Sequence, residues 1–189
     1  MLGRLRISRY SSSFGQLLSK RRRHETLSED AMGAGNQQER LDAKWIVGFV
    51  YGEGCFHIGI NRQPRMKIGW QVLPEFRVVQ HCRDEQILRK LQSFFGCGTV
   101  GVNNGDRMEF RVRGIENLTE IVEFFEMHPL QTRKLNDYRK FTQVIDIVRN
   151  GGHLTNSGIA EVAKLALEMN RRHNSSASRI LRDYTPNAN

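Results

Sequence analysis

Glu53 stands between Gly52 and Gly54 at the end of an apolar run that starts at Trp45. Glycine inside a helix costs about 1 kcal/mol against alanine, so Gly48 and Gly52 call for a reason. Small residues four apart share one helix face and let a second helix approach closely. The neighbour is either this chain's own sheet or the same helix of a second copy. In the second case a twofold axis sets two Glu53 carboxylates side by side at the helix ends. Such a pair repels unless cations bridge it. Divalent metal is the natural solution, and paired metal sites serve phosphodiester cleavage. Gly54, lacking a side chain, leaves room for a phosphate to come close. Glu53 and Gly54 are thus the candidate metal-binding residues, and Gly48 and Gly52 the candidate dimer interface.

The elements that must hold these residues follow from periodicity. Asp42 caps a helix running to about Tyr51. A strand from Cys55 to Arg62 alternates Phe56, Ile58 and Ile60 with His57, Gly59 and Asn61. Gln63-Pro64-Arg65 turns the chain into an extended stretch from Lys67 to about Gln80. Pro74 interrupts it, which predicts a bulge or an edge. Asp84 caps a helix through Phe95, stopped by Gly96. Asn104-Gly105 marks a hairpin between Thr99–Asn103 and Arg107–Arg113. Asn117 caps a helix to about Glu126, Thr132 opens a long one, and Thr155 opens another. The order α-β-β-α-β-β-α, followed by further helices, predicts an α+β fold. It is a four-stranded antiparallel sheet with helices on one face.

The other face must be exposed or bound to something. On strand parity it carries His57, Asn61, Lys67, Gln71, Arg77, Thr99, Asn103, Arg107, Arg111 and Arg113. Amide and guanidinium groups on a sheet hydrogen-bond base edges and phosphates. The plainer reading is an ordinary solvated face.

The chain has 189 residues and is 39% hydrophobic, enough for one core domain and a tail. The run Trp45–Val50 is too short to span a bilayer, so no membrane is expected. Cys55, Cys82 and Cys97 form no metal or disulfide pattern and read as reduced thiols. Of the net charge of +9, seven units come from Arg4, Arg6, Arg9, Lys20, Arg21, Arg22 and Arg23. Residues 1–24 contain no acid and several serines, the composition of an organellar transit peptide. They are read as a basic arm, with a linker at 25–40, the folded domain at 41–172 and a flexible tail at 173–189.

The run W-I-V-G-F-V-Y-G-E-G-C-F resembles the signature of the LAGLIDADG homing endonucleases, in their I-V-G-F-V-x-G-E-G form. The blocks G-W-Q-V-L-P-E-F-R-V-V-Q-H, F-F-G-C-G and H-P-L-Q-T-R-K look like those of single-motif members from ribosomal-RNA-gene introns. The resemblance covers roughly residues 41–172. It implies a homodimer, a saddle-shaped sheet in the DNA major groove, and Mg²⁺-dependent cleavage of both strands. It implies Glu53 as the metal-binding acid, Gln80 as the residue ordering catalytic waters, and Lys134 as the basic residue beside the scissile phosphate. Arg133 is a rival match for the last. The signature usually has Asp where this chain has Tyr51.

Two functions follow. One is a site-specific DNA endonuclease acting through Glu53, Gln80 and Lys134. The other is a catalytically retired member that binds ribosomal RNA beside ribosomal proteins in an organelle, the mitochondrion favoured, or assists intron splicing. The import-like arm and Tyr51 support the second reading.

Overall fold

The computed structural model describes residues 41–169 and 174–184. The arm and linker expected at 1–40 lie outside them. The elements are α1 (Ala43–Glu53), β1 (Gly54–Arg62), β2 (Trp70–His81), α2 (Glu85–Phe95), β3 (Thr99–Asn104), β4 (Arg107–Val112), α3 (Ile115–Met127), α4 (Thr132–Arg149), α5 (Asn156–Glu168) and α6 (Ser175–Tyr184). The expected α-β-β-α-β-β-α order is present, and the sheet runs β1-β2-β4-β3, antiparallel throughout.

Caps explain several boundaries. Asp42 accepts from the amides of Lys44 and Trp45, and Thr155 from that of Gly158, satisfying donors that a helix start leaves unpaired. α3 departs from expectation. It begins at Ile115 after Gly114, whose φ of 82° suits glycine, and Asn117 donates back to the Arg113 carbonyl from inside the helix.

One sheet face carries the core. Phe56 pairs across strands with Phe76, Phe76 with Val112, and Val78 with Phe110, all buried. The Phe56 ring lies 5.3–5.7 Å from those of Phe76, Phe125, Tyr138 and Phe141. It thereby joins β1 to β2, α3 and α4 through tilted and edge-on contacts.

Pro74 introduces no bulge: it pairs with Ile58 in unbroken register. Its other side is a free edge, because β4 joins β2 only from Phe76 onward. A missing amide therefore costs nothing there. The irregularity lies instead at Val102–Asn104 in β3. Two expectations need correction. Lys67 is not on a strand: β2 starts at Trp70, and the chain between Gln63 and Gly69 folds into turns closed by Met66 and Gly69 amides. The tail expected to be flexible from residue 173 contains α6. Its Ala177 and Ile180 are fully buried, and the Tyr184 hydroxyl donates to the Ile68 carbonyl.

His153 lies in the turn between α4 and α5, with Nδ1 buried and unpartnered. Burial lowers its pKa from the ordinary 6.5, against a backbone hydrogen bond with Ile147 that raises it. The unfolded chain therefore takes up the proton first. Stability is complete above about pH 6.5 and declines as pH falls toward the lower folded value. Urea midpoints measured from pH 7.5 to 5 should show this decline, and His153→Gln should flatten it. Phe56→Ala should cost about 3–5 kcal/mol by the same assay.

Candidate functional site

α1 passes into β1 with no residue between them, since Glu53 ends one and Gly54 begins the other. The junction is tight. A Cβ on Gly54 would meet Val50 Cγ1 at 2.4 Å and the Val50 carbonyl oxygen at 2.7 Å. Only glycine lets the chain turn so abruptly at the helix end. The Glu53 side chain is thereby left exposed at the end of the helix.

Lys134, in the first turn of α4, reaches this junction. Its Nζ donates to the Gly54 carbonyl oxygen at 2.5 Å. An ammonium group thus touches the backbone of the residue that follows Glu53. Arg133 is exposed, and Lys134 is the residue at the junction. Tyr51 fastens the same region: its hydroxyl is hydrogen-bonded to Oγ1 of Thr132, the first residue of α4. Thr132 has φ of 52°, a conformation that costs a β-branched residue energy. The tyrosine that departs from the signature therefore ties α1 to the helix that carries Lys134.

Gln80 lies on a different wall. Gly54 pairs with Val78, so Gln80 is two residues past the last β1 partner, level with the end of α1. It lines a groove with Phe49, Arg83, Asp84, Gln86, Ile87 and Lys90. Gly48 and Gly52 are exposed, and a Cβ on either would meet nothing within 4 Å. They do not pack against this chain's own sheet. Trp45 stacks on Phe49 at 4.8 Å and is 43% exposed, so α1 shows an apolar stripe outward as well as inward.

The open sheet face is more ordered than alternation alone suggests. Cross-strand pairs on it are His57–Glu75, Asn61–Gln71, Arg77–Arg111, His81–Arg107 and Thr99–Arg111. Asn103 sits in the β3 irregularity and Arg113 just past β4. Sequence reasoning missed three partners here. Glu75 and Glu109 are buried and pair with Arg77, Arg113 and Arg111. His81 accepts the Arg83 amide at Nδ1, so Nε2 carries the proton that faces Asp106 at 3.1 Å. The signal for the acids was present as Glu75 and Glu109 among arginines of like parity.

Fold and site define an α+β domain with one acid at a helix end and an arginine-bearing sheet. The family described as LAGLIDADG endonuclease matches residues 46–145, over half the sequence, and the chain belongs to this family. Among curated proteins it is similar to a probable intron-encoded endonuclease 3 of Neurospora crassa, 30% identical over 145 residues. That match covers 75% of this chain and 27% of the relative. The DNA endonuclease I-CvuI of Chlorella vulgaris is 32% identical over 88 residues, covering 47% of this chain and 55% of that one. This chain spans about a quarter of the length of the first curated relatives it matches.

Among solved structures, the homing endonuclease I-TnaI is 47% identical with a TM-score of 0.73, covering 76% of this chain and 98% of that one. The LAGLIDADG homing endonuclease I-SmaMI bound to cleaved DNA is 28% identical with a TM-score of 0.73, covering 78% of this chain and half of the other.

Two substitutions probe the junction. Tyr51→Phe should cost about 1 kcal/mol, the worth of one hydrogen bond, while Gly54→Ala should cost about 3 kcal/mol through overpacking against Val50. Denaturant titration of both variants checks the order.

Proposed function

We propose that the chain is a site-specific DNA endonuclease that acts as a homodimer with Mg²⁺. The observation that carries this reading is the meeting of Glu53, Gly54 and Lys134 at the end of a helix whose outer apolar stripe is uncovered. Two coverages support the pairing. The chain matches nearly all of I-TnaI but half of I-SmaMI, so one chain supplies one unit where the longer protein has length for two.

The donor set suits a hard divalent cation. A carboxylate and a backbone carbonyl are oxygen ligands of the kind Mg²⁺ takes. The Gly54 oxygen keeps a second lone pair beside its bond to Lys134. No group of three ligands forms among the described residues, so the set is completed by two copies or by phosphate oxygens. When bound, a divalent ion would activate water and neutralise charge on the phosphate. Glu53 and the Gly54 carbonyl would hold the ligand positions. Lys134 presents its ammonium beside the phosphate, where it offsets the charge that builds during cleavage. Gln80, with one acceptor and two donors on its amide, orders water at the strand end. His57, Asn61, Gln71, Thr99, Asn103 and Arg107 contact bases or phosphates from the open sheet. No described helix is long and apolar enough to cross a membrane.

Tyr51 is compatible with activity, because its hydroxyl is engaged with Thr132 rather than thrust outward alone. The arm at 1–24 supports import into a mitochondrion, and relatives named as intron-encoded endonucleases support an organellar origin. A retired member bound to ribosomal RNA is the outcome the test must separate.

The test is cleavage of a randomised duplex library by the full chain with Mg²⁺, followed by sequencing of the ends. A unique cut site is expected, and Glu53→Gln should slow cutting by roughly 10³-fold, as loss of metal-assisted stabilisation requires. Gly48→Glu should shift the sedimenting species from dimer to monomer and abolish double-strand cuts. Uncut DNA together with tight binding of ribosomal RNA would establish the retired reading instead.

A further inference from the structure

Two carboxylates on the open sheet face play no part in the proposed cleavage. Glu75 and Glu109 are each 5% exposed, and they are the buried charged side chains among the described residues. Glu75 Oε1 accepts from Arg113 Nε at 2.6 Å and lies 2.5 Å from its Nη2, a two-pronged contact. Glu75 Oε2 lies 3.3 Å from Arg77 Nε. Glu109 Oε1 pairs with Arg111 Nη2. Arg77 and Arg111 stand directly opposite each other on β2 and β4.

A guanidinium has five donors in a planar fork. These ion pairs use one or two of them on each arginine and, the buried Arg111 Nε apart, leave others for another acceptor. An untethered arginine on a surface swings to whatever phosphate is nearest. A guanidinium held along one edge by a buried acid keeps its plane, and its remaining edge can match two acceptors at fixed separation. On duplex DNA that is the O6 and N7 edge of guanine. The acids also cancel two of the three positive charges, so this set draws little on phosphates. The arrangement is not what stability alone would favour. Glu109 Oε2 and Arg111 Nε are buried without a partner, and such atoms are costly.

We propose that Glu75 and Glu109 are positioning residues that hold Arg77, Arg111 and Arg113 for reading guanine edges in duplex DNA and keep them off the phosphates. The inference rests on the sheet being the DNA-facing surface of the proposed endonuclease.

The test is selection of bound sequences from a randomised duplex library, without divalent metal, by the full chain and by its Glu75→Gln and Glu109→Gln variants. The wild-type chain should enrich a motif containing guanines. Each variant should lose roughly tenfold in discrimination at guanine positions. Each should also bind unselected duplex more tightly, with a log–log salt slope steeper by about one for each arginine released to a phosphate. Damage to the fold would weaken binding to both kinds of DNA, so the gain on unselected duplex is the decisive readout. Variants that enrich the same motif with equal stringency, or that lose all binding in proportion, would overturn the positioning role and leave the DNA reading standing. A wild-type chain that enriches no duplex sequence overturns the DNA reading and this inference together.

Discussion

The Gly54 amide closes α1 on the Val50 carbonyl, its own carbonyl opens β1, and Val50 leaves no room there for a β-carbon. A helix that must become a strand within one peptide unit has almost no freedom at that point. The corner where α1, β1 and α4 meet hangs from this constraint. It fixes where Glu53 emerges, it offers the oxygen that Lys134 grips, and it sets the register by which Gly54 meets Val78 and leaves Gln80 beyond the pair. Tyr51 and Thr132 brace the same corner from outside, at the expense of a threonine in left-handed geometry. Strain of this kind persists where surrounding contacts over-determine the backbone.

The sheet shows a second balance. Its inner face is aliphatic and aromatic, and Phe56 touches rings from β2, α3 and α4. Its outer face buries charge, which is tolerable because each acid has a guanidinium against it. Core and charged face are thus two sides of the same strands, and the two-residue period divides them.

Much of this was legible in the residues. Asp42, Thr155 and Asn104-Gly105 marked boundaries because caps and hairpin turns depend on side chains a few residues away. Glu53 stood out because glycines flanked it. What was hidden depended on distance in sequence. Tyr51 and Thr132 lie 81 residues apart, and Glu75 and Arg113 lie 38 apart, so no local pattern joins them. Glu75 and Glu109 share the parity of the outer face, yet period two cannot tell a buried, paired acid from a solvated one. Lys67 misled because an extended-looking stretch began before the turn had closed. α6 was masked by serines and asparagine, although Ala177, Ile180, Leu181 and Tyr184 keep a helical spacing.

The strand order β1-β2-β4-β3 bears on how the chain reaches this state. β1 with β2, and β3 with β4, are hairpins whose partners are close in sequence, and loops of that length close quickly. The seam between Phe76–His81 and Arg107–Val112 is the part that must wait for distant segments to meet. Contacts across such separations slow folding. The same seam opposes Arg77 to Arg111, so the pairing of greatest sequence separation in the sheet also brings like charges face to face. Glu75 and Glu109, each paired with one of these guanidiniums, offset that repulsion once the strands have closed.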